Sequence, residues 1–133
     1  MASTLFDLGR EGIGDGSIDL LTDDIRVMLV RSTYALDQTD KFLADLGAVD
    51  NGRSAALAGK AIPLGVFDAT DTSLTATAAN ASNALILFKH TGSDATARLI
   101  AYIDTATGLP FTPAAGQNVA ITWDNGANKI LKI

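Results

Sequence analysis

Val119-Ala120-Ile121-Thr122-Trp123-Asp124-Asn125-Gly126-Ala127-Asn128-Lys129-Ile130-Leu131-Lys132-Ile133 is the stretch that decides the fold class. Val119, Ile121 and Trp123 alternate with Ala120, Thr122 and Asp124. A period of two places the three large apolar side chains on one face of a strand. Asn125-Gly126 accepts the positive φ values of a tight hairpin turn, so Lys129–Ile133 is expected to fold back antiparallel, with Ile133 in the core.

Outward from this hairpin the same grammar recurs. Short apolar runs at Ser17–Leu20, Ile25–Val30, Ala61–Phe67, Ser73–Ala78, Ala84–Lys89, Arg98–Asp104, Asn118–Asp124 and Lys129–Ile133 are separated by turn-forming residues. Ile25–Val30 is apolar on both faces apart from Arg26, the pattern of a strand central in its sheet. Short strands at this spacing predict an all-β fold, an antiparallel β-sandwich of jelly-roll or Ig-like type. Val27, Leu29, Leu85, Leu87, Ile100, Tyr102, Ile121 and Trp123 are its expected core.

One or two short helices are expected near the N-terminus. Ser3-Thr4 can cap a helix through Leu5, Phe6, Leu8 and Ile13, which Gly9, Gly12 and Gly14 should break early. Asp40–Leu46 has the apolar spacing of a helix of one or two turns, ended by Gly47. Asn51–Ala58, mostly small or polar, is expected to be an exposed loop.

The chain has 133 residues, enough for one domain spanning 1–133 without covalent staples. Hydrophobic residues make up 47% and charged residues 19%, and the net charge is −5. An acidic chain with scattered Lys and Arg is a poor non-specific nucleic-acid binder, because that binding relies on clustered cations. Having no cysteine, the chain has no disulfide and no thiolate metal site. No secretory signal pattern and no apolar run of membrane-spanning length is present, so a soluble protein left in the cytosol of the producing cell is expected.

The search for reactive groups finds isolated residues. His90, the sole histidine, has no second histidine or cysteine to converge with on a metal or a nucleophile. Asp68, Asp71 and Asp94 offer oxygen ligands but lack the spacing of a calcium loop, and turn formation explains them. Asp23-Asp24 and Asp37/Asp40 are candidate carboxylate pairs, each beside a turn or helix start. Ser3, Ser32, Ser73 and Ser93 lack a nucleophile-elbow setting. Gly9, Gly12, Gly14 and Gly16 lack the lysine and the preceding strand of a phosphate loop. No catalytic residue, cofactor or metal is therefore expected.

Several segments, taken in order, carry a resemblance. They are Phe6–Gly12, Gly16–Asp19, Asp24–Val30, Asp40–Leu46, Leu85–Gly92, Leu99–Asp104 and Ile121–Gly126. The chain resembles, over nearly its whole length, a family of small structural proteins encoded by tailed bacteriophages. The resemblance implies a virion component without enzymatic activity, made in the host cytoplasm. The expected role is a capsid decoration or cement protein, a homotrimer bound to the major capsid protein and stabilising the head shell, without nucleic acid or membrane. A tail component (tube, baseplate or fibre attachment) is the alternative. So is a carbohydrate-binding adhesin, for which Tyr34 and Phe111 are the loop aromatics. Residues 1–16 are expected to form an N-terminal arm or short helix that offers Leu5, Phe6 and Leu8 to a neighbouring subunit, being too short and glycine-rich to fold alone.

Overall fold

Strands that are apolar at nearly every position must be covered on both sides. Two such strands form the centre of the computed structural model, which describes residues 4–106, 108–127 and 129–133. The elements are β1 (Thr4–Leu5), α1 (Asp7–Asp15), β2 (Ile25–Arg31), β3 (Asp50–Arg53), β4 (Val66–Phe67), β5 (Thr72–Thr75), β6 (Ser82–Lys89), β7 (Leu99–Ile103), β8 (Asn118–Ile121) and β9 (Leu131–Lys132). Short 3-10 turns lie at Leu43–Leu46 and Pro63–Gly65. The main sheet is antiparallel and five-stranded, in the order β1-β7-β6-β2-β3, and two ribbons pair β4 with β9 and β5 with β8. The protein is mainly β, with one α-helix among the described residues.

Alternation along β2 and β6 divides the buried side chains in two. Ile25, Val27, Leu29, Leu85 and Leu87 join Phe67, Leu74, Val119, Ile121, Trp123, Ile130 and Leu131, so the two ribbons cover this face. Met28, Val30, Ile86 and Phe88 join Phe6, Leu43, Leu46, Val49 and Tyr102 under irregular chain and a 3-10 turn. All eight side chains expected in the core are buried. Ile100 and Tyr102 nevertheless face opposite ways. Leu87 pairs with Ala101 and Phe88 with Leu99, so Ile100 is the extra residue of a β-bulge, which breaks the alternation.

The hairpin expected at Asn125-Gly126 does not form. β8 pairs with β5 and β9 with β4, so the turn separates two strands that belong to different ribbons. Trp123 anchors the departure, its backbone N–H donating to Asp71 Oδ1 (3.0 Å) and its Nε1 to the Thr70 carbonyl (3.2 Å). Ile130 and Leu131 take the buried positions, whereas Ile133 is 47% exposed. Ser17–Leu20 is a turn rather than a strand. The Asp19 carboxylate accepts the N–H groups of Leu21 and Thr22, and Asp23 accepts that of Asp19, which competes with strand pairing. Of Ala61–Phe67 only Val66–Phe67 is strand, because Pro63 starts a 3-10 turn.

Two expected surface segments are structural. Asn51–Arg53, the start of the expected Asn51–Ala58 loop, belongs to edge strand β3, and Asn51 is fully buried. Gly52 sits at φ 123 with the Thr75 carbonyl oxygen 2.4 Å from where a Cβ would be, a position no other residue fills.

The N-terminal segment belongs to the chain's own core, which corrects the arm expectation for Leu5 and Phe6. β1 pairs with β7, Leu5 is buried, and Phe6 is 0% exposed with its N–H donating to the Ile100 carbonyl (2.9 Å). Leu8 is half-buried. The helix begins at Asp7, ends at Gly16 in the left-handed conformation, and survives its glycines for a packing reason. A Cβ on Gly9 would lie 2.6 Å from the Ile100 carbonyl oxygen, and one on Gly12 would lie 2.5 Å from the Ile18 side chain. Glycine lets α1 rest directly on the bulged backbone of β7, and that contact outweighs its poor helix propensity. Ser3, the expected cap, lies outside the described residues.

Candidate functional site

A group of charged side chains lies where β2, β3 and β6 present Arg26, Arg53 and Phe88. Register places Arg26 opposite Phe88 and Arg53 opposite Met28. Arg26 makes a two-pronged ion pair with Asp24, with Nε and a terminal nitrogen each 2.9 Å from a carboxylate oxygen. Arg53 does the same with Asp94 at 2.7 and 2.8 Å and adds Asp50 at 2.7 Å. Its guanidinium carbon lies 5.8 Å from the centre of the Phe88 ring, within cation–π reach. His90 extends the group, its ring edge-on to Phe88 at 6.5 Å and its backbone N–H donating to the Asp24 backbone carbonyl.

The electrostatics follow these contacts. Hydrogen bonds from Arg26 hold the Asp24 carboxyl below the usual range, and those from Arg53 do the same for Asp94. The Arg53 guanidinium is pushed up chiefly by its bonds to Asp94. Each carboxylate here is thus already matched by an arginine of the same chain. The arrangement is a tie between the Asp94 loop and edge strand β3.

The other expected candidates are dispersed. Asp23 pairs with Lys89 Nζ at 3.0 Å while Asp24 turns to Arg26, so the two carboxylates do not share a site. Asp37 accepts from the backbone and hydroxyl of Thr39, and Asp40 accepts from the Tyr34 hydroxyl at 2.8 Å. Asp68 accepts the N–H of the adjacent Ala69 and Asp71 that of Trp123, far along the chain, so each carboxylate already has a partner within the fold. Among the described residues, no group of three or more His, Asp or Glu side chains is placed to hold a metal ion. Gly9 and Gly12 face β7 and Ile18 and form no anion cradle.

The two aromatics considered for sugar stacking are both half-buried. Tyr34 packs against Tyr102 with ring centres 6.3 Å apart, and burial is the main cause of its raised pKa. Phe111 packs against the ribbon-side core, and its backbone exchanges hydrogen bonds with Ser82.

Sequence reasoning missed two features. Asn51 is a fully bonded polar hub, with Nδ2 donating to the Asn80 carbonyl and Ser82 Oγ and Oδ1 accepting from Thr77 Oγ1 and Ala78 N. Leu64 is 98% exposed at φ 53, a left-handed conformation that bulky residues rarely hold. Pro63-Leu64-Gly65 signalled a turn, but nothing in the residues marked this leucine as outward-facing. No family model matches the chain, and neither a curated protein nor a solved structure is similar to it.

Proposed function

We propose that the chain is a non-enzymatic structural protein of a tailed-bacteriophage virion, a decoration or cement protein that stabilises the head shell. Its partners are the major capsid protein and its own copies in a homotrimer. In this reading the fold is a β-sandwich of the five-stranded sheet and the two ribbons, which the Ser54–Leu74 bridge from the end of β3 to the β5–β8 ribbon supports.

The observation that supports this reading best is where the resembling segments fall. Asp24–Val30 falls on β2, Leu85–Gly92 on and just past β6 and Leu99–Asp104 on β7, the hydrogen-bonded centre of the molecule, and Phe6–Gly12 falls in or beside α1, while the other three segments lie outside the main sheet. A second support is that the arginines of the charged group are spent on internal ties, as a rigid binding module requires. The half-buried settings of Tyr34 and Phe111 favour a structural role over an adhesin.

The test adds purified protein to phage heads assembled without it. Saturation in proportion to the shell subunits, with trimers in analytical ultracentrifugation, is the expected result, and chelator should change neither. Binding of only a few copies at one end of the particle would replace the decoration role by a tail role, and no particle binding would end the proposal.

A further inference from the structure

Asparagine followed by glycine occurs at Asn51-Gly52 and at Asn125-Gly126. The dipeptide has an inherent weakness, because a glycine nitrogen is not shielded by a neighbouring Cβ. That nitrogen can lose its proton and attack the asparagine Cγ. A C–N bond forms, the bond from Cγ to the amide nitrogen breaks, and ammonia leaves with the proton, giving a five-membered succinimide. Water then opens the ring at either carbonyl, to aspartate or isoaspartate. No oxidant or reductant enters.

The fold treats the two sites in opposite ways. The Asn51 side chain is 0% exposed and held at both ends, Nδ2 by Asn80 and Ser82 and Oδ1 by Thr77 and Ala78. Gly52 N donates to Asp50 Oδ1 at 2.8 Å, and its backbone lies against the Thr75 carbonyl. Ring closure there would need four side-chain bonds and the edge of a strand to open together. Asn125 and Gly126 are both exposed, in a turn outside any strand. Among the described residues nothing bonds the Asn125 amide, and Gly126 N has only the longer 3.2 Å contact to Asp124 Oδ1.

We propose that Asn125 is a site of spontaneous deamidation in the folded protein and that Asn51, with the same local sequence, is protected by its hydrogen bonds. Conversion adds one negative charge beside Asp124. Isoaspartate also lengthens the backbone within the loop, whose ends are fixed by Trp123 on Thr70–Asp71 and by Ile130 N on the Phe67 carbonyl. The product therefore keeps the fold.

The test incubates the full chain at mildly alkaline pH, folded and in denaturing urea, and follows both peptides by mass spectrometry and isoaspartyl methyltransferase labelling. In the folded sample most of Asn125 should convert before Asn51 is detectably changed, while in urea both should convert at similar rates. Gly126→Ala should slow conversion at Asn125 in both. Equal conversion of the two sites in the folded chain would overturn the proposal. So would an Asn125 that converts in urea and stays intact when folded.

Discussion

The two faces of the main sheet are buried equally well by different means. One face lies under the β4–β9 and β5–β8 ribbons, whose own backbone groups are paired in ladders. The other lies under Phe6, Leu43, Leu46 and Val49, carried by α1's approach, a 3-10 turn and irregular chain. A sheet needs apolar cover and does not demand that the cover be regular. Irregular cover must satisfy its backbone locally, as Asp45 does by accepting the N–H groups of Lys41 and Phe42.

Deleting residues 2–13 should break this comparison most severely. The deletion removes β1, Phe6 and most of α1, and loss of the cooperative thermal transition is expected. A truncated chain that melts normally would return the segment to an arm.

Phe6→Ala and Trp123→Ala measure one anchor on each face. Each should cost about 3–5 kcal/mol in chemical denaturation, the usual loss for a buried aromatic. A much smaller cost for Phe6 would mean that the irregular face is loosely packed.

Within α1 the glycines separate cover from surface. Gly9→Ala forces a methyl onto the β7 backbone and should destabilise by about 1–3 kcal/mol. Gly14→Ala enters open space and should stabilise by about 0.5–1 kcal/mol through helix propensity. Equal effects would show that the helix does not rest on the bulge.

The smallest effect concerns the Arg53 tie. Asp94 has its folded pKa lowered from the ordinary 3.8, so its contribution is present above that value and lost as the pH falls through the lowered one. Asp94→Asn should therefore narrow the gap between melting temperatures at neutral and acid pH. The change should be slight, because the Asp94 side chain is 50% exposed. A variant whose melting temperature falls equally at both pH values would exclude the ion pair as the cause.

What was legible in the sequence was the inner sheet. β2, β6 and β7 announce themselves because side-chain alternation is a local property. Partner choice is not local, and so Asn125-Gly126 promised a hairpin while Trp123 was held by Thr70 and Asp71 from far along the chain. β3 was hidden for a related reason. Asp-Asn-Gly-Arg is a turn composition, and it becomes a strand through antiparallel pairing with β2, Met28 opposite Arg53 and Val30 opposite Asp50, while Asn80 and Ser82 hold the Asn51 side chain. Gly9 and Gly12 misled in the opposite direction, since their cost to a helix is intrinsic and their benefit lies in Ile100 and Ile18. The Asp24–Arg26 and Arg53–Asp94 pairs needed the fold, because a sequence does not say which arginine each carboxylate will meet.

The pairing of β1 with β7, β5 with β8 and β4 with β9 has a kinetic consequence. Thr4 meets Tyr102, Thr72 meets Ile121 and Val66 meets Lys132, so each of these ladders closes a long loop. Among the described residues the shortest connection between paired strands is β6–β7, where Phe88 meets Leu99, followed by that between the consecutive strands β2 and β3, where Val30 meets Asp50. Loop-closure entropy is lost before such distant contacts repay it, which gives high contact order and folding on the order of milliseconds to seconds. The β6–β7 hairpin is therefore expected to form first, and φ-values higher in β6 and β7 than in the two ribbons would check this.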